Sequence, residues 1–246
     1  MDRATPAELL DVARAAARAA AAVLMPRFGS ERALAAKSSP TDWVSEADLE
    51  AERAIHGVLA ERRPGDGVLG EEGTGDVEGT TGLRWVVDPL DGTVNYLYGI
   101  PQWCVSVAVQ DADGRTLAGV VLDPVRDEEF ASDAQLPGSQ CAELAHALVG
   151  TGFGYESEVR RAQAAVVARV LPEVRDIRRA GSAALDLAWV AAGRLDAFYE
   201  RGVKLWDVAA GLLLCERAGL VVRQLEPPGV LVAPPGILEP LAALVG

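Results

Sequence analysis

Trp85-Val86-Val87-Asp88-Pro89-Leu90-Asp91-Gly92-Thr93-Val94-Asn95 is the stretch on which the fold and the chemistry of this chain turn. Trp85 to Val87 is a short apolar run of the kind that forms a buried strand. It ends in two carboxylates, Asp88 and Asp91, separated by Pro89 and Leu90. Gly92 and Thr93 then supply a tight turn that opens a helix. Acids at a strand end offer oxygen ligands to a hard cation, and the N–H groups of the turn can hold a phosphate. Asp-Pro and Asp-Gly are also ordinary turn dipeptides, so the reading depends on what the rest of the chain brings to this point.

The chain has 246 residues, 50% of them hydrophobic and 24% charged, the composition of a globular protein. We expect one domain over 1–246, with an α+β half to about 135 and an α/β half from about 136. The net charge of −13 would repel a long anionic polymer, which argues against direct nucleic-acid binding. A small phosphorylated molecule stays possible where cations screen the charge. Cys104, Cys141 and Cys215 are distant from one another and form no Cys-x-x-Cys pair; Cys104 and Cys215 read as core thiols of a reducing compartment. No basic leader precedes the first helical pattern and no apolar run approaches ~20 residues, so the expectation is a cytoplasmic protein with no membrane role.

Thr5-Pro6-Ala7-Glu8 reads as a capped helix start leading to about Arg27. Ser45 and Asp48 form a capping box with Asp in place of Glu, opening a helix to about Arg63. Val68 to Gly73 reads as a brief strand that delivers Glu71 to a glycine-flanked loop, and Thr74 to Gly82 as a mobile surface loop. Cys104–Val109 and Leu117–Leu122 form a hairpin pattern, and Asp127 to Gln140 reads as irregular. In the second half, strands at Leu148, Asp176, Leu195–Tyr199 and Leu220 alternate with helices at Ser157–Leu171, Gly181–Ala192, Val208–Ala218 and near Leu238, which argues α/β. Two acids could meet Asp88 and Asp91: Glu71 at its strand end and Asp207 before the Val208 helix. Each also has a plain reading, Glu71 as a solvated loop acid and Asp207 as a helix N-cap. His56 and His146 sit in probable helices away from every motif and read as structural.

Taken together and in order, several segments resemble the inositol monophosphatase family of magnesium-dependent phosphatases. They are Lys37 to Asp48, Gly70-Glu71-Glu72, Trp85 to Tyr96, Arg179-Ala180-Gly181-Ser182-Ala183-Ala184, and Trp206-Asp207-Val208-Ala209-Ala210-Gly211. The resemblance implies alternating α-β-α-β-α layers and a homodimer. It implies two or three Mg²⁺ ions held by Glu71, Asp88, the Leu90 carbonyl, Asp91 and Asp207. Thr93, paired with Asp48, would act on a metal-activated water. Gly92 and Thr93 would grip the phosphate, while Asp91, Ala183 and Glu200 would touch the hydroxyls of the alcohol. The implied reaction is hydrolysis of inositol monophosphate or a similar polyol phosphate, sensitive to lithium. Histidinol phosphate, fructose 1,6-bisphosphate or a 3′-phosphonucleotide are alternative substrates, and a binding role with the RNA-synthesis machinery is a non-enzymatic alternative. The segment from Phe130 to Leu144 and the portion after Leu225 are shorter than the family pattern.

Overall fold

The computed structural model describes residues 4–30, 33–36, 43–73 and 75–246; residues 1–3, 31–32, 37–42 and 74 lie outside them, and with them the Lys37 to Asp42 part of the family-like segment. Helix α1 (Pro6–Leu24) starts as its sequence requires: Thr5 accepts from the Glu8 N–H, Glu8 reaches back to Thr5, and Pro6 takes the first helical position. A 3₁₀ turn, Met25–Arg27, completes it. A two-stranded antiparallel ribbon, β1 (Ala33–Ala36) with β2 (Trp43–Ser45), leads into α2 (Glu46–Arg62). Its capping box is the one formed by Ser45 and Asp48.

The first large sheet has the order β3 (Gly67–Gly70), β4 (Arg84–Asp91), β5 (Cys104–Gln110), β6 (Thr116–Asp123), β7 (Glu128–Ala131). Only β3 and β4 run parallel. Every residue of β5 is buried, so both faces of the sheet are covered. Alternation along β4 sends Trp85 and Val87 into the core shared with α1 and α2, and Val86 into the opposite core. Between Asp88 and Asp91 the register shifts. Asp88 faces Ser106 and Asp91 faces Cys104, so Pro89 and Leu90 share the single opposing residue Val105. This β-bulge re-aims the strand. In a regular strand, residues three apart point to opposite faces; here both acids share the face of Val86 and Cys104. Pro89 is tolerated because the ladder is already interrupted there.

The second large sheet has the order β11 (Val221–Leu225), β12 (Gly229–Ala233), β10 (Ala197–Arg201), β8 (Leu148–Thr151), β9 (Asp176–Arg178). Helices α5 (Ala183–Ala191) and α6 (Leu205–Arg217) lie between the two sheets, while α4 (Ser157–Val170) and α7 (Pro235–Val245) close the outer face. The layers therefore alternate as α1/α2, sheet, α5/α6, sheet, α4/α7, the α-β-α-β-α arrangement expected.

Four local expectations need correction. Glu128–Ala131 is a strand, not irregular chain; it pairs with β6, and Glu128 and Glu129 bind Arg194, Arg14 and Arg18. Residues 75–82 are tethered: Val77 bridges to Val68, Thr80 N–H donates to Gly65, and Thr81 Oγ1 donates to Asp66. Helix α6 begins at Leu205, so Asp207 is its third residue and Lys204 its N-cap. His56 is on α2, but its ring packs beneath Gly75, close to the loop that follows Glu71. His146 lies in an exposed 3₁₀ turn. Cys104 and Cys215 are buried free thiols, as expected.

Candidate active site

Glu71, Asp88, Leu90, Asp91, Thr93 and Asp207 all line one cavity of about 500 Å³. Its walls are built from strand ends and helix starts. β4 supplies Asp88 and Asp91, β10 supplies Glu200, and α5 and α6 bring Ser182, Ala183 and Asp207 at their N-terminal turns. The positive ends of two helix dipoles thus face a pocket rich in carboxylates, a setting suited to anions carried with cations.

Asp88, Asp91 and Asp207 each accept backbone or hydroxyl hydrogen bonds through one oxygen. Asp88 Oδ1 accepts from the Leu90 N–H at 2.9 Å. Asp91 Oδ2 accepts from Ser182 Oγ at 2.8 Å and from the Ala184 N–H at 2.6 Å. Asp207 Oδ2 accepts from the Lys204 N–H at 2.6 Å. Burial raises the Asp88 carboxyl well above its ordinary range, and the charges of Glu71, Asp91 and Asp207 add to the effect. Burial lifts Asp91 to about 7 against the hydrogen bonds from Ser182 and Ala184. Burial and the charge of Asp91 lift Asp207 to about 8. Oxygen donors that repel one another in a desolvated site, with no sulfur or imidazole among them, fit a hard divalent cation. Among the described residues no three such side chains are drawn tightly enough to enclose an ion by themselves.

Behind the cavity wall, Thr93 Oγ1 contacts Asp48 Oδ1 at 3.0 Å and the Leu90 carbonyl at 3.2 Å. A hydroxyl has one proton, so these are alternative acceptors. Asp48 is fully buried, and its Oδ2 takes the Ser45 N–H at 2.8 Å and Ser45 Oγ at 2.5 Å. Gly92 precedes the short helix α3 (Thr93–Leu97) with φ 104°; a side chain there would press on Trp103 and the Gln102 carbonyl. Glu200 stands across the cavity, lifted to about 7 by burial while the Arg179 guanidinium pulls the other way. Gly152 makes room for it, since a methyl at that position would overlap the Glu200 carboxylate.

Every expected site residue but Asp48 reaches this cavity wall, and Asp48 meets Thr93 from behind it. The N–H engaged by Asp91 belongs to Ala184 and not to its neighbour Ala183. Two residues went unassigned in the sequence. Ser182 orients Asp91, and its place as the N-cap of α5 was the available signal. Asp186 lines the cavity from the first turn of α5, where it reads in sequence only as a favourable helix-start acid.

A model of the inositol monophosphatase family matches residues 5–243. The chain belongs to the inositol monophosphatase family. Membership makes it a phosphoric monoester hydrolase. An inositol-1-monophosphatase of Mycobacterium bovis is 45% identical over 271 residues, spanning 97% of this chain and 93% of its own. A Xylella fastidiosa protein called Nus factor SuhB is 40% identical, over 83% of this chain and 77% of its own. The crystal structure of extragenic suppressor protein SuhB from Bartonella henselae superposes with a TM-score of 0.89 at 33% identity, covering 96% of this chain and 98% of the other. No helix among the described residues is long and apolar enough to cross a membrane.

Proposed function

We propose that the chain is a magnesium-dependent phosphomonoesterase that releases phosphate from inositol monophosphate or a similar polyol phosphate. One observation carries the reading: four acids from distant parts of the sequence line one cavity directly in front of the Thr93–Asp48 pair. Glu71, Asp88, Asp91, Asp207 and the Leu90 carbonyl would hold the cations. Bound magnesium would supply Lewis acidity and neutralise charge on the phosphate. Gly92 and Thr93 would orient the phosphate through their N–H groups. Thr93 Oγ1 would take a proton from the attacking water while its own proton passes to Asp48 Oδ1. The water oxygen would bond to phosphorus, the ester P–O bond would break, and the departing oxygen would take a proton from a second water and leave as the alcohol. Asp91, Ala183 and Glu200 would receive the hydroxyls. Positioning and charge stabilisation dominate such a reaction, so no covalent nucleophile is required. Because the cavity draws on both halves of the chain, we treat residues 1–246 as one working domain.

The test is phosphate release from inositol 1-phosphate with saturating Mg²⁺ and with EDTA, beside histidinol phosphate, fructose 1,6-bisphosphate and a 3′-phosphonucleotide. Hydrolysis that needs Mg²⁺, falls with added lithium and has its highest kcat/KM on the inositol ester supports the reading. A higher kcat/KM on another member of the panel would keep the chemistry and replace the substrate. A second reading, binding to the RNA-synthesis machinery, is favoured by the name of the Xylella relative. An Asp88→Asn variant that retains a transcription-complex partner while losing hydrolysis would support it.

A further inference from the structure

One acid in the cavity has no part in the reading above. Asp186 is only 1% exposed, yet it lines the same cavity as Asp91 and Glu200. An acid in the first turn of a helix ordinarily complements the dipole from the solvent side. Asp186 is buried instead, and its Oδ1 has no hydrogen-bond partner among the described residues. Buried carboxyl oxygens are nearly always paired, so an orphan calls for an explanation. The charged groups near enough to act on it are Asp91, Glu200 and Arg179. Two of these are acids and cannot donate while ionised, and Arg179 is drawn over the Phe153 ring, 5.7 Å from its centroid. A donor carried into the cavity by a ligand would satisfy the group. Its position fits that role, because Asp186 lines the same cavity wall as Ala183 and Glu200.

Resting on the polyol-phosphatase reading, we infer that Asp186 accepts a hydrogen bond from a substrate hydroxyl remote from the phosphate and is a specificity-determining residue beside Glu200. A half-turn about its χ2 exchanges the two oxygens, so either one can meet the ligand. An amide of the same shape keeps an acceptor oxygen and is a close mimic of it.

The experiment compares the wild type with Asp186→Asn and Asp186→Ala on inositol 1-phosphate and on 4-nitrophenyl phosphate, which has no hydroxyls on its leaving group, with thermal melts as a check on folding. Loss of one hydrogen bond to substrate corresponds to roughly a 10-fold change. The expected result is a KM for inositol 1-phosphate about 10-fold higher in Asp186→Ala with kcat little changed. KM for 4-nitrophenyl phosphate should stay near the wild-type value, and Asp186→Asn should recover most of the loss. Equal effects on both esters, or no effect on either, overturn the assignment while leaving the phosphatase reading intact. A wild type that hydrolyses 4-nitrophenyl phosphate but not inositol 1-phosphate overturns the polyol reading and the assignment with it. Should Asp186→Ala melt early, Asp186→Leu, which keeps the bulk and removes the acceptor, decides in its place: a rise in KM confined to inositol 1-phosphate upholds the assignment, and a parallel change or no change on both esters rejects it.

Discussion

Thr93 Oγ1 lies 3.0 Å from Asp48 Oδ1, joining the start of α3 to the first turn of α2. The second Asp48 oxygen is clamped by Ser45, so the carboxylate can turn neither away from Thr93 nor toward solvent. Such a fixed acceptor is what a hydroxyl needs to pass on a proton. We expect Thr93→Ala to lower kcat by about 10²–10⁴-fold, the usual contribution of general acid–base groups. Thr93→Ser should retain most of the activity, and Mg²⁺-induced stabilisation should persist in both. Steady-state phosphate release decides; a Thr93→Ala enzyme within a few-fold of the wild type would remove Thr93 from the proton path.

The acid cluster sets the pH response of the metal-free protein. Asp91 and Asp207 stand at about 7 and about 8 in the fold, against ordinary values of 3.8, with burial the largest cause. Their folded values are raised, so the native state holds more protons than the unfolded state between the two ranges. The stability they contribute is complete below the unfolded value and disappears as pH rises through about 7 to 8. Thermal melts of EDTA-treated protein should therefore fall in Tm from pH 6 to pH 8.5, and excess Mg²⁺ should restore more at pH 8.5 than at pH 6. A flat or rising Tm without metal would contradict the cluster as drawn. Asp207→Ala should remain folded, lose activity and lose most of the Mg²⁺-induced rise.

Gly152 and Glu200 offer a test of the substrate wall that leaves the acids untouched. The atoms nearest a methyl at position 152 are those at the end of the Glu200 side chain, which is flexible enough to shift. Gly152→Ala should thus shift stability by less than about 1 kcal/mol while raising KM for a polyol phosphate roughly 10-fold, the effect of displacing one hydrogen-bonding group. Comparing KM with Tm in the same variant checks this, and an unchanged KM would exclude Glu200 from the contact.

Far from the cavity, Asp66 ties a loop to the core. It is 5% exposed and accepts from Trp85 Nε1 at 2.9 Å, Arg63 Nε at 2.7 Å and Thr81 Oγ1 at 2.6 Å. Burial opposes its ionisation, but these donors together hold its carboxyl below the usual range. The stability it provides is present above the unfolded value and is lost as pH falls through the folded one. Asp66→Ala should cost about 1–3 kcal/mol by leaving buried donors unpaired, seen as a lower Tm with kcat nearly unchanged. No change in Tm would show that these bonds are replaced by water.

Much of this arrangement was legible in the sequence because it depends on local rules. The capping boxes at Thr5 and Ser45 marked two helix starts, and the apolar run from Trp85 to Val87 marked the central strand. What escaped depends on tertiary contact. Glu128–Ala131 is a strand because Arg14, Arg18 and Arg194 neutralise its acids, and no periodicity in four residues announces that. The helix read from Val208 in sequence starts at Leu205, which makes Asp207 a residue of its first turn. Asp186 looked like any acid at a helix start until burial separated it from solvent.

The bulge at Pro89 and Leu90 makes the centre more sensitive to length than to spelling. Exchanging Pro89 for another residue leaves the extra backbone step in place. Deleting one residue between Asp88 and Asp91 would restore a regular ladder against Val105. It would take away the displaced Leu90 carbonyl while keeping every acid in the chain. Descendants of this sequence should therefore tolerate substitutions in those two positions far better than a shortened turn.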